Sequence, residues 1–373
     1  MADASKDVRW MSLALELARR GQGCVEPNPM VGCVLVKNDE LIGQGWHKKF
    51  GGPHAEVNAL RGCDDPASAT AYVTLEPCSH TGKTPPCADA LIKAGVARVV
   101  VGTLDPNKKV AGAGVQRIKE AGIKVDVGAC GNEAESIIAP FAKWITTGVP
   151  WVLAKWAMFK NGKIATPPGV SPWISNEHSR EVVHDIRRRV DAILVGIGTV
   201  LADDPLLTAR PASGRKLTRV VLDSHARMPL DSRIVKSAKE LAIQSPVLIC
   251  VGPDAERKKV QNLQERGCEV FISSATGRNE RLEQVLGMLG SRSVTNLLVE
   301  GGSAVLSHLF EQHFVDEVHC FVSPKEVEQT SDGDCLANAP FAAANATKLA
   351  SVIGLGDYEI QDLSGDSYLS GRL

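Results

Sequence analysis

Residues 70–100 read TAYVTLEPCSHTGKTPPCADALIKAGVARVV. The run ATAYVTLEP (69–77) reads as a strand, ADALIKAG (88–95) as a helix and ARVVVGTLD (97–105) as a second strand. Strand, helix and strand in that order predict a layered α/β domain with parallel neighbours. Between the first strand and the helix lies a short loop with a thiol at each end. Cys78 and Cys87 are separated by eight residues, and Pro77, Pro85 and Pro86 stiffen the approaches to both.

The alternation extends in both directions. Residues 5–20 place Trp10, Leu13, Ala14, Leu17 and Ala18 on one helical face, with Gly21 as the stop. VGCVLVKN (31–38) and ELIGQGWHKK (40–49) read as strands joined by a turn at Asn38-Asp39, and HAEVNALRGC (54–63) as a helix. Downstream come a helix at 112–122, a strand at 123–129 and a helix at 133–146. Gly148 and Pro150 mark a linker. The expected domains are 1–147 and 151–373. In the second, strands are expected at 151–159, 191–200, 218–224, 246–252, 268–273, 295–301 and 316–323. Helices are expected at 176–189, 254–266, 280–290 and 303–314. The polar, Ala-rich stretch 325–350 receives no assignment.

Composition agrees with two globular domains in 373 residues, with 44% hydrophobic and 23% charged residues. A formal net charge of −1 offers no electrostatic case for nucleic acid or an acidic membrane surface. No apolar run approaches the ~18 residues a membrane span needs, and MADASKDVRW lacks the apolar core of a secretion signal. A cytoplasmic protein is expected. The ten cysteines are scattered, as small buried residues of a reducing compartment would be.

His54-Ala55-Glu56 opens the helix before the two-thiol loop. Zinc takes nitrogen and thiolate ligands in a tetrahedron, and a catalytic zinc keeps one vertex for water. His54, Cys78 and Cys87 would supply three ligands. Glu56, on the same first turn, would reach the water without binding the metal. H-x-E followed by P-C is the zinc-deaminase pattern, although here the second cysteine comes after eight residues rather than two. Zinc brings the water's pKa towards ~7, and Glu56 would move its proton to a ring nitrogen and departing ammonia. The alternative is a closed structural zinc, for which His80 offers a fourth ligand.

EPNPMVGCVLV, GWHKKFGGPHAEVNAL, the stretch 70–100 and DPN (105–107) together resemble the deaminase half of the bifunctional riboflavin-biosynthesis deaminase–reductases. The long C-x8-C loop separates that family from cytidine and tRNA-adenosine deaminases. The resemblance implies a cytidine-deaminase-like three-layer domain. It also implies a phosphorylated ribosylamino-pyrimidinone substrate, contacted by Asn28, His47, Lys83, Asp105 and Asn107. Taken singly, Asn28 is a Pro-Asn turn, Lys83 a loop lysine, and Asp105-Pro106-Asn107 a strand-ending turn.

In the second half, VGIGTVLADDP (195–205) and LLVEGGSAVL (297–306) are strands running into glycines, although neither matches G-x-G-x-x-G. With ISNEH and VVLDS they resemble the family's reductase domain, which is dihydrofolate-reductase-like and uses NADPH. The resemblance implies that Ala157, Trp173, Thr199, Asp203, Ser224, Gly302 and Ser303 face the cofactor. It implies that Ser171, Arg187, Leu207, Arg210 and Glu300 face the substrate, with Arg187 and Arg210 as phosphate clamps. Lys155 and Glu300 are candidates for polarising or protonating the sugar. The family is often dimeric or tetrameric. Two departures stand out: FKNGK (159–163) replaces the usual S-L-D-G-[KR], putting Phe159 and Asn161 near the cofactor, and SPKEVEQTSDG lacks the usual glycine pair. Two other readings remain: a nucleic-acid or nucleoside deaminase, and a deaminase whose C-terminal domain only binds or dimerises.

Overall fold

The computed structural model describes residues 2–80, 85–165, 173–212, 215–327, 338–343 and 345–373. The chain forms two compact units, Met1–Gly148 and Val149–Leu373.

The first unit contains α1 (Ala2–Arg19), β1 (Gly32–Lys37), β2 (Glu40–Trp46), α2 (Ala55–Arg61), β3 (Thr70–Leu75), α3 (Cys87–Lys93), β4 (Arg98–Thr103), α4 (Ala113–Glu120), β5 (Lys124–Val127) and α5 (Gly131–Thr147). Its five strands run in the order β2-β1-β3-β4-β5. β1 is antiparallel to β2 and β3, whereas β3, β4 and β5 are parallel. Asn38 and Asp39 both take left-handed backbone (φ 53° and 65°), which suits a two-residue hairpin turn matching the strand twist. Successive strand residues face opposite sides. Val34, Val36, Tyr72 and Val100 therefore join Met11, Leu15 and Ile137 in one core, and Leu35, Val73, Val99 and Val101 join Ala59, Leu91 and Ile118 in the other. The result is three layers, with α2 lying directly on β2. A Cβ on Gly45 would stand 2.4 Å from the Ala59 nitrogen, so only glycine permits this approach, which brings the start of α2 to the sheet.

The second unit contains β6 (Trp151–Phe159), α6 (Glu177–Arg189), β7 (Ala192–Gly196), α7 (Ile197–Asp203), β8 (Thr218–Leu222), α8 (Arg233–Lys236), β9 (Val247–Val251), α9 (Arg257–Glu265) and β10 (Glu269–Ile272). There follow α10 (Arg278–Ser291), β11 (Asn296–Glu300), α11 (Ser303–Glu311), β12 (Glu317–Ser323), α12 (Ala346–Ile353), β13 (Asp357–Leu363) and β14 (Asp366–Arg372). Nine strands run in the order β10-β9-β8-β7-β11-β6-β12-β14-β13. They are parallel from β10 to β12, and β14 and β13 are antiparallel.

Besides the unexpected helices α8 and α12, two features depart from the sequence expectation. The strand expected through Val200 ends at Gly196, and α7 begins at Ile197. A short apolar run does not distinguish buried strand from buried helix. The closing hairpin β13–β14 was not expected, yet it carries a signal: two seven-residue runs flank Ser364-Gly365, both left-handed (φ 56° and 103°). Its buried Asp366 accepts hydrogen bonds from the Asn176 backbone N–H and the Ser179 hydroxyl, each at 2.7 Å. Asn176 in turn caps α6 through the Ser179 N–H. The hairpin thereby anchors the start of the helix that carries Arg187.

Candidate active sites

In the first unit, His54 immediately precedes α2, Cys87 is the first residue of α3, and Cys78 lies in the loop after β3. Their ligand atoms all lie within 4.8 Å of one another. His54 Nδ1 is 3.6 Å from Cys78 Sγ and 3.2 Å from Cys87 Sγ, and the Cys87 backbone N–H donates to Cys78 Sγ at 3.3 Å. Ligands about 2.0 and 2.3 Å from one ion at tetrahedral angles lie about 3.5 Å apart, so the spacing fits zinc. The Cys87 thiol and His54 hold Cys78 down to about 4, while the neighbouring Cys78 sulfur and burial push Cys87 up. Two adjacent thiols ionise together only with a cation between them, which is the chemistry of this donor set. His80 is exposed and does not join the cluster, so the described residues supply three ligands, not four.

Glu56, 3% exposed, sits one residue into α2, and burial pushes its carboxyl up to about 7. It opens onto a cavity of about 400 Å³ lined by His54 and Cys78 of the metal cluster, Asn28, His47, His80, Asp105 and Asn107. Asn28 Nδ2 lies 3.2 Å from His47 Nε2, and His47 Nδ1 lies 3.1 Å from the Pro53 carbonyl. This network assigns the proton to Nδ1, leaving Nε2 to accept from Asn28. Burial lowers the His47 pKa and keeps the ring neutral. Asp105 accepts from the Asn107 N–H at 2.8 Å, forming a turn whose side chains line the cavity. Lys83 and Ser171 lie outside the described residues.

Sequence reasoning passed over Glu76, although it stands two residues before the first thiol. Its buried carboxylate accepts four backbone N–H groups: Asp105 and Gly112 on Oε2, Gly114 and Val115 on Oε1, at 2.8–3.2 Å. It ties the zinc loop to the Asp105 turn and to the start of α4. A Cβ at Gly114 would fall 1.9 Å from the Pro77 carbonyl oxygen, so α4 abuts the backbone next to Cys78. Glu76→Gln presents an N–H₂ to two of those donors. It is expected to weaken zinc retention by about 10–100-fold, as losses of groups that support metal ligands do; competition with a chelator checks this. Phe141, Trp144 and Ile145 of α5 also line the cavity and carried no recognisable motif.

In the second unit, Glu300 ends β11 and pairs in register with Lys155 of β6. Arg187 of α6 donates to it from Nε at 2.6 Å and from Nη2 at 2.8 Å, and Lys155 Nζ lies 3.6 Å from Oε2. Burial alone would raise the Glu300 pKa, but Arg187 and Lys155 outweigh it and hold the carboxyl at about 2. Arg187 also donates to the Thr208 carbonyl at 3.1 Å, so three of its N–H groups are engaged within the protein. Burial, then Arg187 and Arg210, depress His184 to about 4, which brings both arginines to one neighbourhood. The Leu207 side chain is buried in the core, leaving only its backbone for a ligand.

Thr199 accepts from the Gly302 N–H at 3.1 Å, and Gly302 and Ser303 begin α11. Beside this turn lies a cavity of about 350 Å³ over the C-terminal ends of β7, β8 and β9, lined by Gly198, Ser224, Ala304 and three arginines. Crevices at the carboxyl ends of parallel strands are where α/β sheets bind nucleotides, and guanidinium groups suit their phosphates, so the residues fit NADPH. Asp203 is exposed at the end of α7. Ala157 packs beside Val183, Phe321 and Tyr368, and Trp173 is exposed with Arg180 4.8 Å over its ring. Neither lines the cavity. Phe159 is buried, and Asn161 Nδ2 donates to the Val327 carbonyl at 2.8 Å, so FKNGK forms a turn latched to the segment after β12.

A three-layer domain with a His-Cys-Cys cluster beside a buried glutamate, followed by a parallel α/β domain with a nucleotide-sized crevice, defines a zinc deaminase joined to a dinucleotide-dependent reductase. Residues 4–103 match the cytidine and deoxycytidylate deaminase zinc-binding region, and residues 150–329 match the RibD C-terminal domain. The chain is 42% identical over 322 residues to riboflavin biosynthesis protein RibD of Actinobacillus pleuropneumoniae, covering 86% of this chain and 84% of that one. It is 38% identical to the Escherichia coli protein of the same name over 356 residues, covering 90% and 94%. Solved structures agree. Acinetobacter baumannii RibD superposes with a TM-score of 0.81 at 36% identity, covering 99% of both chains. A Thermotoga maritima diaminohydroxyphosphoribosylaminopyrimidine deaminase/5-amino-6-(5-phosphoribosylamino)uracil reductase gives 0.81 at 33%, also covering 99% of both. The chain belongs to the RibD family, the bifunctional deaminase–reductases of riboflavin biosynthesis. Its cofactors are zinc and NADPH, and neither the deaminase-only reading nor the nucleic-acid reading is favoured.

Proposed function

We propose that residues 1–147 deaminate 2,5-diamino-6-ribosylamino-4(3H)-pyrimidinone 5′-phosphate. Residues 151–373 then reduce the ribosyl group, giving 5-amino-6-(5-phosphoribitylamino)uracil. The observation that carries the reading is the burial of Glu56 beside three converging zinc ligands in a cavity of about 400 Å³.

His54, Cys78 and Cys87 would hold zinc, which when bound supplies a water of lowered pKa. Glu56 takes one proton from the attacking water and passes it to the ring nitrogen, then takes the proton left on the added oxygen and passes it to the amino group, which departs as ammonia. A carboxyl poised near neutrality suits both transfers. His47 and Asn28, with Asp105 and Asn107, orient the pyrimidinone, and Lys83 meets the phosphate.

NADPH, when bound, supplies the hydride, and Thr199, Asp203, Ser224, Gly302, Ser303, Ala157 and Trp173 are assigned to hold it. Lys155 stands 3.6 Å from Glu300 on the neighbouring strand, and the pair polarises the sugar. Ser171, Arg187, Arg210 and the Leu207 backbone hold the phosphorylated product of the first reaction. The described cysteines are all free thiols, which supports a reducing, cytoplasmic setting. Assembly as a dimer or tetramer completes the proposal.

Metal analysis combined with anaerobic turnover tests both halves. Ammonia should be released without NADPH, and the ribityl product should form only with it. Ammonia release without bound metal, or none from the zinc-loaded protein, overturns the deaminase assignment. Stripping zinc with a chelator, or Cys87→Ala, is expected to abolish deamination while NADPH binding persists; ammonia release and cofactor fluorescence measure the two separately.

A further inference from the structure

Three arginines line the crevice beside the Gly302 turn, and none of them belongs to the motifs that carry the resemblance: Arg227, Arg278 and Arg281. Arg278 and Arg281 stand three residues apart at the start of α10 and so share a helix face. Arg278 Nη2 donates to the Ala304 carbonyl at 2.6 Å, pinning it to the first turn of α11. Arg281 reaches across the ends of β8 and β9: a Cβ on Gly252 would meet its Cδ at 3.8 Å and the Ser224 carbonyl at 3.1 Å. Its Nη1 donates to the Thr276 carbonyl. Arg227 comes from the loop after β8, its Nε 3.9 Å from the fully buried Asp223 carboxylate.

The charge is one-sided. None of the described residues lining the crevice is an aspartate or glutamate, and His308 is its remaining titratable group of basic type. Burial, then the Arg278 charge, lowers the His308 pKa, so the ring stays neutral beside the guanidinium groups. Sites that bind the unphosphorylated dinucleotide place a carboxylate on the ribose hydroxyls, and sites for the phosphorylated form place an arginine there. The strand order gives the position. Lys155 and Glu300 lie on β6 and β11, the glycine turn follows β11, and the arginines stand beyond it over β8 and β9. The cluster is thus on the side of the phosphate-binding turn away from the reacting groups, where the adenosine end falls.

We propose that Arg278 and Arg281, assisted by Arg227, receive the 2′-phosphate of the adenosine ribose and make this reductase select NADPH over NADH. The proposal rests on NADPH being the cofactor, and it adds the residues that discriminate.

Calorimetric titration of the full-length, zinc-loaded protein with NADPH, NADH, 2′,5′-ADP and 5′-ADP tests it. The wild type should bind NADPH and 2′,5′-ADP at least about tenfold more tightly than NADH and 5′-ADP, because two charge-assisted hydrogen bonds separate the pairs. Arg278→Gln/Arg281→Gln should weaken NADPH and 2′,5′-ADP by about 10–100-fold and leave NADH within about twofold. An unchanged deamination rate and melting temperature would show that the variant is folded. Equal losses for NADPH and NADH would place the arginines on the shared pyrophosphate and overturn the proposal, as would no loss. A wild type that binds both dinucleotides equally defeats the cradle but leaves the reductase intact. A wild type that binds neither defeats the cofactor assignment itself. Should the double variant not fold, the wild-type comparison of 2′,5′-ADP with 5′-ADP decides alone.

Discussion

Glu56→Gln is expected to lower the deamination rate by about 10²–10⁴-fold, the range that a positioned general base contributes. Zinc should stay bound, because the substitution leaves His54, Cys78 and Cys87 untouched. The reason for so large an effect is geometric and electrostatic together. Glu56 is buried one residue into α2, held there by the Gly45 contact that seats the helix on β2. Burial raises its carboxyl to about 7, so it both accepts and returns a proton near neutrality. The amide is isosteric but neither accepts nor returns that proton. Ammonia release by stopped assay, with metal content measured on the same sample, checks the prediction. Loss of zinc in parallel with activity would reassign Glu56 to holding the site together.

Glu300→Gln is expected to abolish reduction and to destabilise the second unit by about 3–5 kcal/mol, the penalty for leaving buried charges without their partner. Arg187, Glu300 and Lys155 have side-chain exposures of 12%, 10% and 16%. The guanidinium and ammonium would therefore be stranded where water screens them poorly. The effect has a pH signature. Glu300 is held at about 2 in the folded chain, well below an ordinary glutamate. The folded state thus binds fewer protons than the unfolded one in this window. Its stabilisation is fully present above about pH 4.5 and is lost as pH falls towards 2. Thermal melts from pH 7 to pH 3 should show the gap between wild type and Glu300→Gln closing at the acid end. A gap independent of pH would mean that the carboxylate charge is not what matters.

Much of this was legible in the sequence because it is local. The stretch 70–100 carries strand, metal loop, helix and strand in consecutive residues, and period-2 alternation sorts Tyr72 and Val73 to opposite cores. His54, Cys78 and Cys87 could be grouped from the pattern because H-x-E and the two-thiol loop each sit at the end of one element. Glu76 escaped notice because its role depends on four backbone N–H groups 29 to 39 residues away, and no periodicity announces a carboxylate that braces a loop. The C-terminal hairpin had its Ser-Gly turn signal, but its purpose, holding Asn176 through Asp366, spans 190 residues.

The sequence by itself determined the alternating α/β order, the two-domain division and the donor set for zinc, since each follows from residue types at short spacing. Only the tertiary structure decided that Arg187 pairs with Glu300, that the Leu207 side chain turns inward, and that three arginines from one loop and one helix meet over β8 and β9. Electrostatic partnership is a matter of distance in space and of solvent exclusion. Chain order does not encode either until the sheet has brought its strand ends together.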